Sequence, residues 1–166
     1  PFEDGGMYDE VALRIEIAKV IAEIKPDVVI GPDHKLYPES HPDHLRVGEA
    51  VSKAYFMCSN VNMMKSVGAT QIAKPTVLAY YFTGKPNRFV KITKKDFEKT
   101  KAAYACFVSQ CPPPDNGKSL MLYMRLKVRL NGLRSFHIRA DAFRVMNNMH
   151  IHCCGEAEDT AIRRPL

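Results

Sequence analysis

The sequence lacks the long apolar runs and the leader pattern that membrane-spanning and secreted proteins carry. No stretch of its 166 residues approaches the roughly 20 consecutive apolar positions that cross a bilayer. No basic start followed by a short apolar core is present, as a secretory signal would require. Hydrophobic residues make up 46% and charged residues 25% of the chain, as in ordinary globular proteins. We therefore predict a cytoplasmic protein without a membrane span.

Cysteine is sparse and is not spaced for metal or disulfide chemistry. The five cysteines include no Cys-x-x-Cys pair, and their odd number leaves one unpaired in any disulfide scheme. Together with the missing leader, this predicts reduced thiols. The adjacent Cys153 and Cys154 are more simply explained as incidental neighbours than as ligands.

Three common signatures of nucleotide binding and catalysis are also missing. The sequence contains no Walker A loop, no Gly-x-Gly-x-x-Gly and no Gly-x-Ser-x-Gly. These motifs provide phosphate cradles, dinucleotide sites and serine nucleophiles, so their absence removes support for those three classes.

Charge is unevenly distributed along the chain. The net charge is +6, from 24 Lys and Arg against 18 Asp and Glu. Residues 1–50 hold 11 of the acids and 5 of the bases, which leaves 7 acids and 19 bases to the remainder. A basic half can attract anions or nucleic acid, although a solvated helix surface explains the same charges. We favour the solvated surface.

The first part of the chain predicts a helix, a buried strand and a second helix. Apolar residues recur at intervals of three and four over 9–25, which indicates an amphipathic helix that Pro26 ends. Residues 28–30 form a short, continuously apolar strand, as in a sheet covered on both faces. A loop then leads to Pro42, which suits the first turn of a helix that continues over 43–58.

The rest of the chain predicts two strands, two helices and a last strand before an unclear tail. Thr93 followed by Asp96 is typical of a helix N-cap with an acidic third position. The segment 118–130 is interpreted as a helix, although its alternating leucines also fit a strand. The expected elements are strands at 76–82, 89–92 and 142–146, helices at 93–110 and 118–130, and an irregular connection at 60–74.

One stretch concentrates the titratable side chains. His41-Pro42-Asp43-His44 places two imidazoles and a carboxylate at the start of a predicted helix. It follows the strand at 28–30, and open α/β sheets place their chemistry in the loops after such strands. Both rings can face one side of the helix, because positions three apart are neighbours, and Asp43 could accept a ring N–H. From spacing alone, metal or proton-transfer chemistry explains the motif as well as a structural or solvated histidine pair does.

Two other histidine patterns are weaker. Pro32-Asp33-His34 repeats the triplet of the motif, but no helix follows it, so His34 is interpreted as a loop residue. His150 and His152 could place two rings on one face of a strand. The simpler interpretation is that both histidines lie in a tail and bind no metal.

The stretch around His41 resembles the second signature of the LmbE-like (PIG-L) zinc-dependent N-acetylglucosaminyl deacetylases. His41-Pro42-Asp43-His44 is followed by Val47-Gly48-Glu49-Ala50-Val51, and the lead-in over 25–30 is similar to the family's preceding strand. Downstream, Ser109-Gln110 resembles the end of a family helix, and 140–145 resembles its final strand. The resemblance covers most of residues 4–146.

This resemblance implies an α/β fold with a Rossmann-like, mostly parallel sheet flanked by helices. We expect residues 1–146 to be the C-terminal part of a single deacetylase domain, incomplete at its N-terminus, and 147–166 to be a tail. The family's N-terminal Ala-His-Pro-Asp-Asp-Glu motif supplies two zinc ligands and the general base, and this sequence does not contain it. The remaining ligands for Zn2+ are therefore expected from a missing N-terminal part.

The resemblance also implies roles for individual residues. His44 matches the zinc ligand of the second signature. His41 matches the residue that stabilises or protonates the tetrahedral intermediate, and Asp43 matches the carboxylate paired with it. Phe107 stands where many members have a histidine, which affects the expected substrate contacts.

We therefore interpret the chain as part of a zinc-dependent amidase that removes an acetyl group from an N-acetylated amino sugar or its conjugate. The expected partner is that substrate. We expect no nucleic-acid partner, and the sequence is compatible with a homo-oligomer. The alternative is a non-catalytic module whose basic half binds an anionic partner or nucleic acid.

Overall fold

The computed structural model describes residues 2–109 and 111–152, so the pair Cys153 and Cys154 lies outside the described residues. The helices and strands are α1 Glu10–Ile24, β1 Val28–Pro32, α2 Pro42–Met57, α3 Val61–Ser66, β2 Val77–Tyr81, β3 Arg88–Lys91, α4 Lys94–Ala105, α5 Lys118–Arg134, β4 Ala140–Met146 and α6 Asn148–His152. None of the described helices is both long and apolar enough to cross a membrane.

The described chain forms two compact units. One comprises the residues up to Arg88 together with those from Phe143 onward, and the other comprises Phe89–Ala142. The single domain expected over 1–146 stays a prediction, because two compact units can belong to one folding domain.

The sheet has the strand order β1-β2-β4-β3. β1 runs parallel to β2, with Val28 opposite Val77. β4 runs antiparallel to β2, with Met146 opposite Leu78. The predicted α/β class is confirmed, and the described sheet is mixed because β4 returns against the direction of β2. The parallel pair is joined through α2 and α3, as a crossover between parallel strands requires.

The core of the first unit lies where α1 and α2 pack together and against the sheet. Small side chains let the two helices approach closely, and larger ones fill the space between α2 and β2. Tyr55 is buried, and its hydroxyl donates to the Pro75 carbonyl at 2.9 Å, which satisfies its polar end. The helix contact contains Ala18, Ile21, Ala22, Ala54, Met57, Cys58 and Met64, and the sheet contact contains Val51, Tyr55, Leu78 and Tyr80.

Local signals account for most of the helix boundaries. Asp9 caps α1 by accepting from the backbone of Val11 and Ala12. Thr93 and Asp96 form the predicted capping box at the start of α4. The predicted helices at 9–25, 43–58 and 118–130 and the predicted strands are confirmed to within a few residues, and the helical interpretation of α5 is the correct one. The prediction that 28–30 is buried on both faces was wrong, because Val28 and Ile30 are exposed in β1.

In three places the structure differs from the predicted elements or adds to them. The connection at 60–74 contains α3, a single short helix whose first turn is capped by the Asn60 side chain. α4 ends at Ala105 rather than near residue 110. Residues 148–152 form α6, which packs on α2 through a stacked pair of Phe56 and His152. Helices this short carry too little periodicity to be recognised from sequence.

The described cysteines Cys58, Cys106 and Cys111 are free thiols, as predicted. Burial raises the pKa of Cys58 to about 11, so this thiol is protonated and unreactive at neutral pH.

A buried ion pair joins the end of β1 to β4. Only 3% of the Asp33 side chain and 4% of the Arg144 side chain are exposed. Arg144 donates from two nitrogens to the two Asp33 oxygens, at 2.9 Å for Nε, and its guanidinium lies 4.3 Å from the centre of the Tyr80 ring. Burial alone would raise the pKa of Asp33, but the hydrogen bonds from Arg144, Thr83 and the Lys35 backbone, with the charge of Arg144, together outweigh it and hold the pKa below its usual value.

We expect Arg144→Met to lower the free energy of unfolding by roughly 3–5 kcal/mol at neutral pH, because it leaves a buried carboxylate without its cation. The folded pKa of Asp33 is depressed, so its stabilising contribution is present above its unfolded pKa of about 3.9 and is lost as the pH falls through the folded pKa. The gap between wild type and variant should therefore shrink in acid. Denaturant unfolding at several pH values measures it.

Lys53→Met is the matched control, because it breaks an exposed ion pair with Glu49. Exposed pairs contribute about 0–1 kcal/mol. Equal losses in the two variants, or a gap that does not change with pH, would contradict the assignment of Asp33 and Arg144 as a buried pair.

Candidate metal and catalytic site

The histidine motif lies where α2 begins, next to the carboxyl end of β1. The close approach of these two elements depends on Gly48, since a Cβ there would lie 2.4 Å from the Pro32 carbonyl oxygen. His41 is the N-cap of α2 and Pro42 occupies its first turn, as the sequence predicts. The packing therefore places the motif at the edge of the sheet where α/β folds carry their sites.

His41 and His44 lie side by side with stacked rings. Their centroids are 4.6 Å apart at an interplanar angle of 23°, and about half of each side chain is exposed. The sequence prediction that both rings share one side of the helix start is consistent with this contact. Two neighbouring imidazoles with different hydrogen-bond partners can then take different chemical roles.

Glu39 fixes the orientation of His44. Its Oε2 lies 2.8 Å from His44 Nδ1, and its Oε1 accepts from the backbone of Ser40 and His41. The hydrogen bond with His44, followed by that from the His41 backbone, lowers the pKa of Glu39 to about 2. An ionised Glu39 requires a proton on Nδ1, which leaves the Nε2 lone pair of His44 free to bind a metal.

The opposite assignment holds for His41. Its Nδ1 accepts from the Asp43 backbone N–H at 3.3 Å, as an N-cap side chain does. The neutral ring therefore carries its proton on Nε2. Asp43 Oδ2 lies 3.8 Å from His41 Nδ1, which is longer than a hydrogen bond but close enough to stabilise a protonated ring. That Asp43 orients His41 stays a prediction.

Asp43 also ties the N-terminal turn to the start of α2. Its Oδ2 accepts from Gly5 N at 2.8 Å. This backbone hydrogen bond, followed by the neighbouring Asp4, lowers the pKa of Asp43 to about 2. Gly6 has a φ of 71°, and a Cβ there would lie 2.9 Å from the Pro42 Cβ. The glycine pair is thus what lets the N-terminal turn lie directly on the motif.

The described residues bring Asp4, His41 and Asp43 together with one potential ligand atom each, all within 4.8 Å of one another. Asp43 Oδ1 is buried and has no well-formed hydrogen-bond partner in the described part of the chain. Carboxylate and imidazole are both zinc ligands. A cation could therefore be bound in two ways, either by this group or by His44 Nε2, and His44 is not a member of the group.

Sequence reasoning missed Asp4 and Glu39. Glu39 lies two residues before His41 in the loop, and Asp4 begins an Asp-Gly-Gly run, so both carried a local signal. What the sequence could not show was the contact across 38 residues between Gly5 and Asp43.

The other residues singled out from the sequence lie elsewhere. His34 lies in the turn after β1, as predicted, where it is half-buried with its ring edge against Tyr80, and burial lowers its pKa. His150 and His152 lie on a helix, where His150 Nδ1 accepts from Asn147 N. Phe107 is an exposed residue of the second unit beside Tyr104.

Comparison with known proteins gives one consistent result. Residues 1–55 match the family model "PIG-L: GlcNAc-PI de-N-acetylase". A diacetylchitobiose deacetylase of Thermococcus kodakarensis is 32% identical over 146 residues, which are 86% of this chain and 53% of the relative. The chain thus spans about half the length of the curated relative it matches.

Solved structures agree on the fold. The N,N'-diacetylchitobiose deacetylase of Pyrococcus horikoshii, solved with its inhibitor MPG, superposes with a TM-score of 0.78 at 26% identity, over 92% of this chain and 57% of that one. A conserved protein of Thermus thermophilus has a TM-score of 0.66 at 23% identity, over 86% of this chain and 61% of that one, and supports the fold alone.

We expect the two rings to be opposite tautomers at a pH at which both are neutral, with the proton on Nδ1 of His44 and on Nε2 of His41. The reason is that Glu39 accepts from one ring while the α2 backbone donates to the other. Ring nitrogen chemical shifts of 15N-labelled protein distinguish the tautomers. Glu39→Ala should shift His44 toward the Nε2 form, whereas Glu23→Ala, on the exposed face of α1, should change neither ring. Two identical tautomers in the wild type would contradict this assignment.

Proposed function

We propose that this chain, whose residues 1–55 match the PIG-L family model, forms part of a zinc-dependent hydrolase that removes the acetyl group from an N-acetylated amino sugar or its conjugate. The observation that carries the proposal is the contact of Glu39 with His44, whose ring is stacked on a His41 ring that accepts from the α2 backbone. One ring offers a lone pair and its neighbour offers a proton, and amide hydrolysis at a metal needs both.

The residues present fit a zinc ion at His44. Glu39 occupies Nδ1 and leaves the half-exposed Nε2 available, which is the arrangement common to metal-binding histidines. When bound, zinc polarises the amide carbonyl and supplies a water whose pKa is near neutral. Because the chain spans about half of its relative, we expect the other ligands and the general base to come from outside it.

His41 is suited to the developing charge of the reaction. Its Nε2–H can donate to the oxygen of an amide carbonyl as that oxygen becomes negative. A proton carried by the same ring can then reach the departing sugar amine. Asp43 is ionised and lies 3.8 Å from the other ring nitrogen, so it stabilises His41 in its protonated form.

A cation bound by Asp4, His41 and Asp43 is the competing arrangement. It would use a ring nitrogen of His41 as a ligand, and the ring could then no longer pass a proton to the leaving amine. The buried, unsatisfied Asp43 Oδ1 favours this arrangement, whereas the contact of Glu39 with His44 favours the first. Metal binding by single variants separates them.

We expect the 166-residue chain alone to hold no stoichiometric, tightly bound zinc and to show no deacetylation. A single imidazole cannot hold zinc where three protein ligands are usual. Zinc titration with a competing chelator, together with an assay on N-acetylglucosamine oligomers, tests this. Tight zinc binding that His41→Ala abolishes and His44→Ala preserves would contradict the proposal and support the competing arrangement.

In an enzyme that contains the remaining ligands, His44→Ala should lose zinc, whereas His41→Ala should keep zinc and lose on the order of 100-fold or more in kcat. Asp43→Asn should lower kcat less than His41→Ala does, because it removes the negative charge that stabilises the protonated His41 ring. Metal analysis beside steady-state rates measures both quantities, and His137→Ala, on an exposed residue of the second unit, is the control. Retention of zinc and activity by all three site variants would show the motif to be structural.

A further inference from the structure

The outer face of α5 is lined with exposed apolar side chains. Leu122, Leu126, Leu130 and Leu133 follow one another at intervals of four, four and three, so they share one side of the helix. Leu133 is 75% exposed, and Phe136, just past the end of the helix, is 98% exposed. The opposite side of α5 buries Val128, Asn131 and Gly132. The outer face of α5, defined by the four leucines, is therefore separate from the face that packs inward.

The same segment is free of acidic residues. From residue 116 to residue 140 the sequence contains no Asp or Glu, although acids are frequent at the start of the chain. At 3.6 residues per turn the cations of α5 fall along the two edges of the leucine face rather than within it. Lys118, Arg125 and Arg129 lie along one edge, and Lys127 and Arg134 lie along the other.

We infer that the outer face of α5 docks on an anionic lipid surface. A leucine-rich face bordered by Lys and Arg is the arrangement with which a helix lies in the plane of a membrane interface. The leucines would enter the boundary between headgroups and acyl chains, while the long cationic side chains reach the phosphates at either edge. The charge complementarity is complete on this segment, because every charged side chain on α5 is positive.

The order of side chains across the face favours lipid over nucleic acid and over a second copy of α5. A nucleic-acid surface needs its cations and aromatic rings in the middle of the contact, where phosphates and bases lie, but here leucines occupy that position. A second copy of α5 would bring two rows of cations together without acids between them. A lipid surface buries the leucines and attracts both edges.

A cavity beside one edge offers room for an anionic headgroup. It has a volume of about 310 Å³ and lies between residues of α4 and α5 in the second unit. Lys118 and Arg125 from the edge of the leucine face line it together with Lys101 and Tyr104. Three cations around one opening reinforce the preference for negatively charged lipid.

Vesicle flotation with the full 166-residue chain tests the inference without substrate, so its outcome is independent of deacetylation. We expect binding to vesicles of phosphatidylcholine with phosphatidylserine, weaker binding to phosphatidylcholine alone, and release by high salt. Changing Arg125, Arg129 and Arg134 together to Gln should weaken partitioning on the order of 100-fold, because each cation near an anionic surface contributes about fivefold. Leu126→Ser with Leu130→Ser and Leu133→Ser should lower it at least about tenfold.

Two matched triple variants serve as controls. Val11, Val20 and Ile24 are exposed apolar residues of α1, and changing them to Ser should leave vesicle binding intact. Lys65, Lys74 and Lys91 are exposed cations elsewhere, and changing them to Gln removes the same charge without touching α5. Circular dichroism establishes that each variant is folded, which is expected because every replaced side chain is exposed or lies at the helix edge.

The inference would be overturned by no binding to either vesicle, by equal binding to both, or by equal loss in the control variants. Loss of self-association in the leucine variant with unchanged vesicle binding would also overturn it. Tight binding to single-stranded DNA at physiological salt that survives the leucine substitutions would overturn it too, in favour of nucleic acid.

Discussion

The contact between Asp33 and Arg144 is the interaction on which the geometry of the first unit depends. It links the residue that follows β1 to the middle of β4, across 111 positions of sequence. The loop that leaves Asp33 is the one that carries Glu39 and ends at His41. Desolvating both charges is costly, so the pair is retained only because both oxygens are satisfied and the guanidinium also lies on Tyr80. The pair therefore fixes the position at which this loop begins.

Close backbone contacts fix the position of the other end of this loop. Gly48 lets α2 touch the end of β1, and Gly6 lets the N-terminal turn lie on Pro42. Any side chain at either position would push the first turn of α2 away from its neighbours. The position of His41 and His44 is therefore set by two absent side chains as much as by the hydrogen bonds that surround them.

Sequence alone predicted the elements whose signals are local and long enough to repeat. The period of α1, the capping box of Thr93 and Asp96, and the apolar run of β1 each lie within one element, and the three elements are confirmed. The burial predicted for β1 was not, because an apolar run does not show which of its faces another element covers. α3 and α6 are too short to show a period. The contacts of Asp33 with Arg144 and of Gly5 with Asp43 pair residues whose separation carries no sequence signal. The histidine motif was recognisable, but its hydrogen-bond partners were not.

The difference between the two histidines follows from the helix itself. An N-cap side chain must accept from the backbone of the first turn, so the ring at His41 has to present a bare Nδ1. His44 lies within the first turn, and its Nδ1 pairs with the Glu39 carboxylate instead. The start of one helix thus makes two identical residues chemically opposite, one with a free lone pair and one with a free proton. Because both constraints act within six residues, they hold whether or not the remaining metal ligands are present, whereas tight metal binding requires all of them.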